Sequence, residues 1–313
     1  MKLLIGIFFS CFALWFCEQA SFRFWGKYAS LKNQILVLCQ FDNNWFYRYG
    51  SWIPLDAWSG SPVFSPETDP LSLEQTESEY SKNALSYLRP FRDELYDSFW
   101  TGEKGLADSV VKLPIPGGFL FRSSSASNGN GHIILTLTGP SGLSMGGDFN
   151  ELSIESSRLL DHGVDCALAS VNNFAEVLDV VDFLVGSEFD DIRAIGVCAY
   201  GEQADLLALA MAHSPQLFDA VALLSPIGDV PIDRLQSAGY PAALFAARTS
   251  DEESIKLNAL LLAGTCRRLS TSNRSSIYCI IAPPMCQESF SDLKLKTLAY
   301  AFLIDFLSSR RSH

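Results

Sequence analysis

The chain is short of positive charge. Against 35 aspartates and glutamates its 313 residues carry only 23 lysines and arginines, a net charge of −12. With no basic stripe to neutralise phosphates, nucleic acid is excluded as a partner. Histidine is scarce: His132, His162, His213 and His313 are all there are. The cysteines nowhere form a Cys-x-x-Cys pair, so neither a metal site nor a cofactor is expected. Long apolar runs are also lacking. The longest of note, Leu3 to Cys17, follows Lys2 and precedes Glu18-Gln19-Ala20. About 15 apolar residues fall short of the ~20 that span a bilayer. Residues 1–20 are therefore expected to be a secretory signal peptide or an N-terminal anchor. The protein would be exported, touching a membrane only through that segment. Beyond it stand Cys39, Cys166, Cys198, Cys266, Cys279 and Cys286. An even number in an exported chain permits disulfides.

What the chain has in quantity is apolar residues, 48% of the total, enough for a large core. Residues 21–107 crowd aromatics early (Phe22, Phe24, Trp25, Trp45, Trp52, Trp58), pass through a Ser/Pro/Gly-rich stretch, and turn helical from Glu74 to Trp100. This extension is expected to pack on the main domain, residues 108–313. There, two short antiparallel strands precede alternating strands and helices, which predicts an α/β fold with a mostly parallel central sheet and helices on both faces.

The most informative stretch is Arg193-Ala194-Ile195-Gly196-Val197-Cys198-Ala199-Tyr200-Gly201-Glu202-Gln203-Ala204. An apolar β-run meets small residues at Cys198, and helical spacing follows through Leu207 and Met211. A strand turning sharply into a helix at a nucleophilic side chain is a nucleophile elbow. With Gly196, Cys198 and Gly201 in place, the stretch resembles the elbow of the α/β-hydrolases. A cysteine nucleophile is the mark of the dienelactone hydrolase branch, and the surroundings are also similar to prolyl-oligopeptidase-type hydrolases. Tyr200 departs from the pattern, standing where a second glycine is expected.

The resemblance implies Cys198 as nucleophile and Asp251 as the acid after the seventh strand of the family order, with Glu252 a weaker candidate. Asp251 would equally suit a helix cap. The oxyanion hole would be formed by the N–H of Ala199 and by the glycine-rich loop after the third strand, at Pro140 and Ser141. That loop is not a phosphate-binding Walker loop, because Asp148 stands where lysine is required. The family's histidine falls in Pro283 to Ser289, where this chain has Met285, Cys286 and Gln287 instead. Without histidine a general acid–base contribution of about 10²–10⁴ in rate is lost. The triad is thus degraded, and two readings stand. One is a hydrolase-fold protein with weak or absent activity that binds a small ester, a hydrophobic ligand or a partner. The other is a thiol-dependent ester hydrolase with a non-standard base. One of Met285, Cys286 and Gln287 is further expected to approach Cys198: Cys286 there could form a disulfide, whereas Gln287 could position a water but not act as a base.

Overall fold

The computed structural model describes residues 45–48, 51–54, 79–101, 110–123, 131–139, 154–186, 189, 191–228, 232–271, 277–282 and 288–309. The chain divides into two units, Met1–Ser61 and Pro62–His313. In the first, strands β1 (Trp45–Arg48) and β2 (Ser51–Pro54) pair antiparallel, Trp45 opposite Pro54 and Arg48 opposite Ser51.

The second unit begins with helical residues 79–84 and helix α1 (Arg89–Thr101). Strands β3 (Val110–Ile115) and β4 (Gly118–Ser123) follow. The alternating part then runs β5 (His132–Thr138), α2 (Ile154–Asp161), β6 (Asp165–Ser170), α3 (Phe174–Val185), β7 (Ala194–Tyr200) and α4 (Glu202–His213). It closes with β8 (Ala220–Leu224), β9 (Ala242–Arg248), α5 (Glu253–Leu269), β10 (Ile277–Ala282) and α6 (Glu288–Ser309).

One sheet takes β3 to β10, in the order β10-β9-β8-β7-β5-β6-β4-β3. Strands β5 to β10 run parallel, while β4 pairs antiparallel with β6, and β3 with β4. The central parallel strands are mostly apolar and deeply buried because helices cover both faces: every residue of β5 and of β8 is buried. Residues of α3, α4 and α5, among them Val181, Leu207 and Ala263, meet Ile133, Leu135, Ile195 and Val197 on one face. Helix α6 lies against β7 on the other, where a Cβ on Gly196 would stand 3.3 Å from both Leu303 and Leu307.

Residues 79–101 are tied to that second face. Ser81 Oγ accepts a bond from the Cys279 N–H at 2.9 Å, and the Tyr87 hydroxyl donates to buried Asp305 at 2.9 Å. Phe99 meets Tyr300 edge-on, and Phe91 meets His162 in the same way. At the start of the strands, Arg122 of β4 bridges Asp165 and Asp191. Among the described residues no helix is long and apolar enough to cross a membrane.

The Gly196 contact yields a direct test. Gly196→Val would drive two methyl groups into the α6 interface, an overpacking that costs about 1–3 kcal/mol. Urea denaturation should show a lowered midpoint for this variant.

Candidate functional site

In open α/β sheets, ligands gather at the carboxyl ends of the strands. The sharp turn at that edge is made by Gly201, not Cys198. Strand β7 continues through Ala199 and Tyr200, and the Gly201 N–H still donates to Leu224 O at 2.9 Å. Gly201 then takes φ 61°, ψ −128°, and α4 starts at Glu202. That conformation clashes for residues with a Cβ and is natural for glycine.

Cys198 is therefore a mid-strand residue, paired with Thr136 on one side and Ala222 on the other. The expectation that the strand ends there is corrected. Small residues at 196 and 198 leave room for α6 and do not mark a turn. Cys198 is fully buried, and burial pushes its thiol up to about 12, with Lys296 opposing and Glu155 adding to the shift. A thiol held neutral is a poor nucleophile. Cys198 is also a free cysteine, so that disulfide is not formed; Cys286 itself lies outside the described residues.

The other expected residues divide. Ala199 is buried inside the ladder, two residues before the turn, and the first N–H after the turn belongs to Glu202. Pro140, Ser141, Met285 and Gln287 lie outside the described residues. Gly139 is described: a Cβ there would come within 3.0 Å of Gln203 Nε2, so the loop after β5 sets off from the first turn of α4.

Asp251 does reach the carboxyl edge. It does not cap α5, whose N-cap is Glu252, without a side-chain bond. Its Oδ2 accepts from Ser225 Oγ at 2.7 Å and from the Arg248 N–H at 2.8 Å, and its Oδ1 accepts from Arg248 Nε at 2.7 Å. Arg248 Nη1 continues to Asp292 at 2.9 Å. Burial by itself would lower the Arg248 guanidinium, but its bond to Asp251 and the charges of Tyr200, Asp251 and Asp292 outweigh that and raise it. Ser225, the partner of Asp251, is buried at φ 47°. The phenol of Tyr200 is raised, chiefly by burial and then by Asp292.

No histidine joins this network among the described residues. His132 opens β5, four residues before the Thr136 that pairs with Cys198, roughly 13 Å along the strand. His162 follows α2 against Phe91, and burial lowers its pKa. His213 closes α4, twelve residues beyond Gly201. Nor do the described residues group three His, Cys, Asp or Glu side chains as a metal site would need.

A second feature crosses the turn. A Cβ on Gly201 would lie 3.2 Å from Ile227 Cδ1. Ile227 is held there by its neighbour Gly228, whose N–H donates to Asp205 Oδ2 at 2.7 Å and whose carbonyl accepts from Asn258 Nδ2 at 2.8 Å. Asp205 Oδ1 is buried without a partner among the described residues. Sequence reasoning counted Gly201 in the elbow motif but placed the turn at Cys198, although glycine is the residue suited to a left-handed turn at the head of a helix. It missed Ser225, Arg248, Asp205 and Ile227.

No protein-family model matches the chain, and no curated protein does. Solved structures do. Oligopeptidase B from Leishmania major superposes with a TM-score of 0.53 at 14% identity, over 64% of this chain and 37% of its own. A post-proline cleaving enzyme from Rickettsia typhi gives 0.51 at 14%, over 64% and 38%. Oligopeptidase B from Trypanosoma brucei, with covalently bound antipain, gives 0.51 at 13%, over the same shares. The chain thus spans well under half the length of each. With the sheet order and strand-to-helix turn above, these likenesses place it in the α/β-hydrolase fold. At such identities the likeness is one of fold alone.

The Asp205 clasp predicts a pH effect. Burial, followed by Glu202, raises the carboxyl from 3.8 to about 6, against the Gly228 and Ile227 N–H groups that lower it. A folded-state pKa above the unfolded one favours the protonated native state. Its stabilising contribution is complete below about 3.8 and is lost as pH rises through about 6. Asp205→Asn removes this titration. Denaturation midpoints measured between pH 4 and pH 7 should depend less on pH in the variant than in the parent.

Proposed function

We propose that this chain is an α/β-hydrolase-fold protein without hydrolytic chemistry at its elbow, and that it serves by binding. The observation that carries the reading is Gly201. It holds the turn where the fold family places its nucleophile, and it has no side chain to attack with. Two further facts support it. Asp251, at the acid position, is engaged by Arg248 and Ser225, with no histidine to orient among the described residues. The loop where the family carries histidine has Met285, Cys286 and Gln287.

The dienelactone hydrolase resemblance depended on a cysteine at the turn. With Cys198 placed mid-strand, we assign the chain to the superfamily without a branch. A thiol-dependent hydrolase would need the Cys198 sulfur both ionised and reachable, and full burial opposes both. The binding partner we propose is a small ester, another hydrophobic ligand or a protein surface. It would meet the carboxyl edge of the sheet, where Ile227 is half exposed beside Gly201. We further propose export through residues 1–20, on the charge and length of that segment.

The experiment is a hydrolysis assay on the full chain, using nitrophenyl acyl esters and peptide nitroanilides. Turnover should not exceed that of buffer with serum albumin, and Cys198→Ala should leave any residual rate unchanged. Native alkylation should leave Cys198 unmodified until denaturant is added. A rate well above background that disappears in Cys198→Ala would overturn the proposal in favour of the thiol-dependent enzyme.

A further inference from the structure

A cavity of about 360 Å³ opens at the far end of α4, away from the elbow. Its walls are Phe174 at the start of α3, Leu209, Ala212 and His213 in the last turn of α4, and Arg234 and Gln236 from the segment between β8 and β9. Helix α4 has 12 residues, so roughly 18 Å of helix separates its C-terminal end from Gly201. Small-molecule sites are typically clefts of about 300–1,000 Å³ with an apolar lining and a few polar groups that fix orientation. This cavity has that composition: a floor of Phe174, Leu209 and Ala212 under three polar side chains.

Those polar groups have capacity to spare. Arg89, Arg92, Arg122, Arg158 and Arg248 each sit against a carboxylate. Arg234 has neither an ion-pair nor a hydrogen-bond partner among the described residues, and it lines the cavity. Gln236 uses its backbone N–H and carbonyl on the Tyr240 hydroxyl, which leaves its amide for a ligand. His213 shares Nδ1 with Ser214 Oγ at 2.9 Å, and its ring lies 5.9 Å from that of Phe174. Its other ring nitrogen is not engaged by any described residue. None of the described lining residues is acidic, in a chain of net charge −12. An unpaired guanidinium at the rim of an apolar pocket is matched by a planar anion with an apolar tail, because the fork of Arg suits a carboxylate.

We infer that this cavity is a binding site for a small monocarboxylate with an aryl or short alkyl body. The carboxylate meets Arg234 and Gln236, and the body rests on Phe174, Leu209 and Ala212. The inference is independent of the elbow, since none of these residues touches Gly201, Cys198 or Asp251.

The test uses the full chain and two probes, 4-phenylbutanoate and its neutral analogue 4-phenylbutanol, followed by calorimetry and ligand-observed NMR. The acid should bind with a Kd of about 0.1–1 mM, and the alcohol about tenfold more weakly or worse. Arg234→Ala should weaken the acid about tenfold while leaving the alcohol unchanged. Arg234 is exposed, so this variant should keep the parent's urea midpoint. Ala212→Trp, which fills the cavity, should abolish binding of both probes, and Gly201→Ala should alter neither. Equal affinity for acid and alcohol, an acid affinity indifferent to Arg234→Ala, or no binding of the acid at about 10 mM would each overturn the inference.

Discussion

Strand β7 has helices pressed on both sides, and at Gly196 the approach is tight: Leu303 and Leu307 of α6 would stand 3.3 Å from a Cβ placed there. Much else depends on this contact. It holds α6 down on the sheet, and α6 in turn presents Tyr300 to Thr136 and Phe99, and Asp305 to Tyr87. The segment before the sheet, residues 79–101, is thereby secured on the same face. It also explains why β7 carries small residues facing α6: Ala194, Gly196 and Cys198 alternate with Ile195, Val197 and Ala199, which face the other helices.

That alternation is what misled the reading of the sequence. Cys198-Ala199 resembles the small-residue corner of a turn, but both residues belong to a strand that runs two positions further. The fold itself was legible, because apolar runs in alternation with helical spacing leave few topologies for a chain of this length. The place of Asp251 just after β9 was legible too, since it follows from the order of strands. Its partners were not. Ser225 reaches it from 26 residues away, across the carboxyl edge of the sheet, and its φ of 47° has no counterpart in local sequence preference. Arg248 sits three positions from Asp251 and gave no sign that it would take the role of the acid's cationic partner.

Two arrangements at the edge of the sheet share one character: a carboxyl group is held by the protein's own atoms, although Asp205 Oδ1 has no hydrogen-bond partner among the described residues. Arg248 spans Asp251 and Asp292, and Asp205 gathers the N–H of Gly228. On the reading proposed above these groups serve structure, and hydrogen bonds offset the cost of burying them.

The contact between Ile227 and Gly201 has a consequence for descent. A serine at position 201 would need both the strained backbone angle and space now held by an isoleucine methyl, 3.2 Å from where its Cβ would stand. Any side chain at 201 therefore needs a second change at Ile227 before it fits. The two positions are coupled, and a substitution at one opens or closes the choices at the other.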